Sequence, residues 1–171
     1  MIAHADAPPV ARSIFRDGMS RLGSGVNVIT SSGPSGCLGF TATAVCSLSD
    51  EPPSLLVCMN RSSQQNAPLK ENGVFCVNAL APGHRHLSDA FSGMGRIDMA
   101  ERFKLADWTM AVTGSPVLCD AVVSFDCRIA EVREVNTHSL MIANVVDVRV
   151  KEEAGGLVYF ARGYHELRPR A

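Results

Sequence analysis

The segment from Ala121 to Glu131 constrains the fold more than any other. Ala121, Val123, Phe125, Cys127 and Ile129 alternate with Val122, Ser124, Asp126, Arg128 and Ala130, giving one apolar face and one mixed face. A two-residue period belongs to an extended strand, because successive side chains leave opposite faces of the backbone. Thr137 to Val150 reads as a second long strand, reached through a turn near Asn136. Strands of this length need a sheet around them to bury the apolar face.

Shorter strands supply that sheet. Val26 to Thr30, Val74 to Asn78 and Leu157 to Phe160 are apolar runs of strand length, the last expected to close the chain's β structure. Gly33-Pro34-Ser35-Gly36 is a tight turn between the first of these and the segment beginning at Gly39. Helices are few. Ile14, Phe15, Gly18, Met19 and Leu22 recur at three- and four-residue steps, with Ser13 as the expected cap. A short helix from Gln64 stops at Asn72-Gly73, and His84 to Leu105 is helical with Leu87, Phe91 and Met94 on one face. Trp108 begins an extended stretch. Many strands with short connections and flanking helices predict a mainly β, antiparallel barrel. Closing the sheet would remove most exposed edges. The chain divides into a loose leader, residues 1–11, carrying Pro8 and Pro9, and a single domain over residues 12–171.

The 171 residues suffice for a sizeable core without disulfides. Sixteen basic against seventeen acidic residues give a formal charge of −1, so no broad positive field recruits nucleic acid or an acidic membrane. An anionic ligand must then be held by local geometry. Six cysteines without a C-x-x-C pair read as reduced core thiols. Met1 to Val10 lacks a signal peptide's apolar stretch, and no run is long enough to span a bilayer, so a cytoplasmic protein is expected.

Chemistry points to Gly39-Phe40-Thr41-Ala42-Thr43-Ala44-Val45-Cys46-Ser47 and to the strand Ser54 to Asn60 behind it. Small and hydroxyl side chains let a flat ligand lie against a strand and meet main-chain groups. Asn60-Arg61-Ser62-Ser63 is a polar turn with hydroxyls for an anion and a guanidinium for a charge-assisted contact. Together these features fit a planar, phosphorylated cofactor; taken singly, the same residues also serve as plain barrel wall and helix cap. Other signals carry less. Gly23-Ser24-Gly25 has Val28 where a dinucleotide fingerprint needs its third glycine, and it follows a helix. His84 and His86 diverge on a helix and have no partner set for zinc, so no metal site is expected. No G-x-S-x-G elbow supports a hydrolytic triad. On composition alone, His138 and Arg162-Gly163-Tyr164-His165, read as a loop, are surface texture.

In order along the chain, Phe15-Arg16-Asp17-Gly18-Met19, Gly39 to Ser47, Pro52-Pro53, Asn60 to Ser63, Asn72-Gly73-Val74, Val77-Asn78, Glu101-Arg102-Phe103, Thr137-His138 and Tyr164-His165 resemble the flavin reductase-like domain family. Within it, the chain is most similar to reductase components of two-component aromatic monooxygenases. The resemblance implies the split β-barrel of FMN-binding type and a homodimer with each flavin site near the subunit interface. It implies an NAD(P)H-dependent reductase that supplies reduced FMN or FAD to a partner oxygenase. It places Thr41, Ala42, Thr43 and Ala44 along the isoalloxazine, and Ser47, Asn60, Arg61, Ser62 and Ser63 toward the ribityl and phosphate. Phe103 falls near the ring system. His138, Arg162, Gly163, Tyr164 and His165 fall where NADH or NADPH enters, with Gly163 departing from the larger, often basic residue of relatives. No catalytic side chain is implied, because the cofactors carry the hydride. The competing reading is an FMN-retaining electron carrier, or a flavin-binding module that does not oxidise NAD(P)H.

Overall fold

The computed structural model describes residues 8–169. The chain runs through α1 (Arg12–Ser20), β1 (Ser24–Gly25), β2 (Asn27–Ser31), β3 (Leu38–Ala42), β4 (Val45–Asp50), β5 (Pro53–Asn60), α2 (Asn66–Asn72) and β6 (Val74–Ala79). It continues through α3 (Arg85–Phe91), α4 (Met99–Phe103), β7 (Trp108–Met110), β8 (Pro116–Leu118), β9 (Val123–Val135), β10 (His138–Val150), β11 (Gly156–Phe160) and β12 (Gly163–Leu167). A 3-10 turn, Met94–Arg96, separates α3 from α4. Of the expected leader, residues 1–7 lie outside the described residues, and residues 8–11 are exposed.

Seven antiparallel strands form the main sheet in the order β3-β2-β6-β9-β10-β5-β4. The two long strands read from the sequence are its central hairpin, turning at Asn136, which takes φ 49°. The mainly β class with flanking helices holds, but the hydrogen-bond ladder does not close into a barrel. Its edge strands β3 and β4 are unpaired with each other and are joined through Thr43 and Ala44 alone. The sheet is therefore split along one seam, where a covalent link replaces a ladder. A second sheet, β1-β11-β12, and the pair β7-β8 complete the β structure.

Both faces of the main sheet are covered at its centre. Ile29, Val57, Leu69, Phe75, Val77 and Met141 fill one core, and Val28, Leu80, Leu87, Phe91, Leu118 and Leu157 fill the other. All five residues of β2 are buried as a result. The mixed face of β9 is covered at its start by β8 and its neighbouring loop. Ser124 and Asp126 are buried there, while Arg128 and Ala130 farther along the same face are exposed. Both buried groups are paired: Ser124 Oγ donates to Asn78 Oδ1 at 3.0 Å, and Thr113 N–H donates to Asp126 Oδ2 at 2.8 Å. Buried polar groups on a sheet are tolerated when hydrogen-bonded in this way.

Other expectations need correction. Ser13 is not the cap of α1, which begins at Arg12 after Ala11 without a side-chain capping bond. Met94 leaves the face it was grouped on, because Gly93 and Gly95 at φ 90° and 83° break the helix; it is 63% exposed while Leu87 and Phe91 are buried. Gly163-Tyr164-His165 is not a loop but the start of β12, an additional strand after β11. Ala161 and Arg162 make the two-residue turn between them, at φ 50° and 63°. Paired left-handed residues match the twist of a two-residue hairpin, and their non-glycine identity concealed the turn. Cys76 and Cys127 are buried thiols, but Cys37, Cys46 and Cys119 are exposed. Burial pushes the Cys76 thiol up to about 12.

Candidate functional site

The seam between the edge strands is also a cleft of about 510 Å³. Its wall comes from residues 39–44 of β3 and its exit, 58–60 at the end of β5, 63–65 in the polar turn, 91–93 after α3, and Arg102 of α4. That volume lies in the ordinary range for small-molecule and cofactor sites.

Local sequence explains the shape. Gly39 lets Phe91 close on the strand: a Cβ there would stand 2.6 Å from Phe91 Cε1 and 3.2 Å from the Ile29 carbonyl. Thr41 Oγ1 donates to the Ser88 carbonyl at 2.7 Å, tying α3 to β3. Asn60 folds the polar turn on itself, its Oδ1 accepting from Ser62 N–H and Ser62 Oγ–H, both at 2.9 Å. Ser63 Oγ accepts from Gln65 N–H at 3.3 Å.

Three main-chain donors in this wall are free. The β3 ladder ends at Ala42, and the bridging residues give only their carbonyls, Thr43 to Val45 N–H and Ala44 to Cys58 N–H, each at 3.0 Å. Among the described residues, the N–H groups of Thr43, Ala44 and Gln64 meet no protein acceptor. Backbone donors without partners beside a small-residue wall suit a planar ring bearing carbonyl and imine acceptors. Arg102 adds the one charged side chain of the lining. Its Nε donates to the Ile97 carbonyl at 3.0 Å, which leaves the outer guanidinium nitrogens available. On chemistry and size, the residues present fit a flavin.

Of the sequence-derived candidates, the structure brings Thr41, Ala42, Thr43, Ala44, Asn60 and Ser63 to this wall. Ser47 is exposed on β4 opposite Leu55, away from it. Phe103 stands one layer back, edge-on to Phe91 at 5.3 Å and to Trp108 at 5.1 Å. Phe91 and Arg102, given no site role from the sequence, line the cleft themselves. Arg61 and Ser62 line a second cleft, which shares Asn60 with the first.

The nicotinamide candidates occupy three places. His138 lies opposite Asn60 in the β10–β5 register and lines the second cleft, with its Nδ1 2.9 Å from Thr137 Oγ1. Tyr164 packs against α3, its hydroxyl 2.9 Å from Ser88 Oγ and 3.1 Å from Asp89 Oδ1, with Arg85 over the ring at 5.2 Å. Burial raises the Tyr164 phenol, and the Asp89 carboxylate adds to the rise. Arg162 faces Asp17 of α1 at 3.5 Å, and His165 lies against Phe160 beyond Gly163. Ser88 thus links Tyr164 to the seam cleft through Thr41.

An antiparallel sheet, split along one seam and carrying its cleft there, defines a mainly β protein of the split-barrel class. The chain belongs to the flavin reductase-like domain family, whose model matches residues 19–168. It is 52% identical to the FMN reductase (NADH) RutF of Stutzerimonas stutzeri, over 93% of this chain and 90% of that protein. It is 47% identical to the 4-hydroxyphenylacetate 3-monooxygenase reductase component of Pseudomonas aeruginosa, over 90% and 91% of the two chains. The crystal structure of BorF, the flavin reductase component of a bacterial two-component tryptophan halogenase, matches with a TM-score of 0.86 at 25% identity, covering 94% of this chain and all of that one. Among the described residues, no helix is long and apolar enough to cross a membrane.

Proposed function

We propose that this chain is an NAD(P)H:flavin oxidoreductase that reduces FMN or FAD and passes the reduced flavin to a partner monooxygenase. The observation that carries this reading is the seam cleft with its free Thr43 and Ala44 amides. The names of the relatives favour FMN and NADH as the working pair, and a reductase over a carrier. Flavin, when bound, supplies the redox chemistry by accepting hydride from reduced nicotinamide.

The protein's own task is to bind and orient. Thr43 and Ala44 offer fixed N–H donors to an acceptor edge, which favours a ring on which negative charge grows. Arg102 contributes a permanent positive charge at the same wall. The lining holds no Asp, Glu, His or Lys, so no side chain there is poised to shuttle protons at neutral pH. Burial raises the Cys58 thiol, and it stays protonated. Ser63 and Asn60 form the end of the wall proposed for the ribityl and phosphate, with Arg61 and Ser62 just beyond. His138 beside α1 and Tyr164 beside α3 are proposed to contact the nicotinamide nucleotide.

A homodimer is part of this proposal. Ile14 and Leu22 are 65% and 61% exposed on and after α1, and Met19 is exposed beside them; α1 buries no residue within the chain. Exposed apolar side chains of an amphipathic helix without a covering partner favour association with a second copy. Light scattering at micromolar concentration tests it, with the monomer mass as the contrary result. The function is tested by NADH and NADPH oxidation with FMN and FAD crossed. Turnover should depend on added flavin, and nucleotide oxidation indifferent to flavin would refute the reading.

A further inference from the structure

Glu134, near the end of β9, gathers donors from three other parts of the chain. Its Oε1 takes the Lys70 ammonium of α2, and its Oε2 accepts from Ser139 Oγ of β10 at 2.9 Å and from Arg61 Nε of the polar turn at 3.0 Å. Register explains the meeting. Glu134 lies opposite Ser139 and Ser139 opposite Met59, so the three share one row and one face of the sheet, and Asn60 opens the turn one residue later. Hydrogen bonds from Lys70 and then Ser139 hold the Glu134 carboxyl below the usual carboxylate range. It is a fixed anion at neutral pH.

Arg61 is drawn to the hairpin at three points. Its N–H donates to the Thr137 carbonyl at 2.9 Å, its Nη1 to the Asn136 carbonyl at 3.3 Å, and its Nε pairs with Glu134. Its neighbours Asn60 and Ser63 line the seam cleft, and Arg61 does not. The cation of the polar turn is therefore directed away from the wall that the turn completes. A guanidinium grips a carboxylate or a phosphate with the same fork, so Glu134 competes with any anion at the turn for Arg61. We propose that Glu134 is a positioning residue that withholds Arg61 from the flavin phosphate and so sets how tightly the flavin is held. The inference rests on the reductase reading, in which reduced flavin must leave for an oxygenase.

The test titrates the full chain with FMN and with riboflavin, followed by flavin fluorescence. Wild type is compared with Glu134→Gln, Glu134→Asp, Arg61→Gln and the double variant Arg61→Gln/Glu134→Gln. Glu134→Gln should bind FMN about three- to fivefold more tightly, the scale of a partly exposed ion pair, and release it correspondingly more slowly in stopped flow. Glu134→Asp should stay near wild type. Riboflavin, which lacks the phosphate, should bind wild type and Glu134→Gln equally. In the Arg61→Gln background the change at 134 should have no effect, because it acts through Arg61. Unchanged or weaker FMN binding in Glu134→Gln overturns the inference. So does tightening that persists without Arg61, which assigns the effect to the loss of a negative charge alone. A shift in riboflavin affinity equal to that of FMN overturns it in favour of a purely structural role for the hairpin. Failure of wild type to bind either flavin refutes the reductase reading instead.

Discussion

Ala42 ends one edge strand of the seven-stranded sheet and Val45 begins the other, so only two residues bridge the seam. The split and the cleft are thus one feature. Wherever the ladder fails to close, edge amides are left over, and here those of Thr43 and Ala44 face no protein acceptor. The candidate site is the place where the sheet stops satisfying itself.

Arg102 is expected to matter through its charge. Arg102→Gln should weaken FMN binding by the value of a charged hydrogen bond, about 1.5–3 kcal/mol or roughly 10- to 150-fold in Kd. Arg102→Lys should restore part of the loss. Quenching of flavin fluorescence on titration measures both, and an unaltered Kd in the glutamine variant removes Arg102 from the site.

Gly39 is the contact point between β3 and the buried Phe91 ring. Gly39→Ala should force that ring away, at a cost of about 1–3 kcal/mol from overpacking. Flavin affinity should fall with it, because Phe91 lines the cleft. Urea denaturation reads the first effect, and a variant as stable as wild type contradicts the packing described.

Asn78 is fully buried and joins four groups. Its Nδ2 donates to the Val28 carbonyl and Thr30 Oγ1, both at 3.1 Å, and its Oδ1 accepts from Leu118 N–H at 2.9 Å and Ser124 Oγ at 3.0 Å. Asn78→Ala should destabilise the fold by about 2–4 kcal/mol, because the partners stay buried and unpaired. A change within 0.5 kcal/mol, roughly the ordinary surface value, would contradict this role.

His84 gives a pH dependence. Burial lowers its pKa, and His86 nearby lowers it further; Nδ1 accepts the Ala81 N–H at 3.2 Å, which requires that nitrogen unprotonated. The folded value lies below the unfolded one, so on acidification the unfolded chain takes up its proton first. Stability from this group is complete above the ordinary imidazole range and declines as pH falls through and below it. His84→Asn should flatten the fall in Tm between about pH 7 and about pH 5.5. An identical slope in wild type and variant excludes the residue.

Periodicity made the first strand of the central hairpin legible, because β9 alternates every two residues; β10 was legible as a long apolar, β-branched run. The stop at Gly73 was legible for a similar reason, since its φ of 68° suits glycine after a helix. β12 was not, because its turn uses Ala161 and Arg162 where glycine or asparagine would signal a hairpin. Within the site, small residues at 41–44 gave a local signal. Phe91 was read only as an apolar helix face and Arg102 only as part of Glu101-Arg102-Phe103, because both reach the cleft from α3 and α4 by tertiary packing that no local spacing encodes. Ser47 shares the composition of 41–44, but the chain has passed the seam by then and entered the opposite edge strand.

The most direct test of the central claim is a crystal structure of the protein with FMN bound. The account predicts the isoalloxazine in the seam along Thr41 to Ala44, with the Thr43 and Ala44 amides donating to its acceptor edge. A ring bound elsewhere on the chain, with those amides still unpaired, would contradict it.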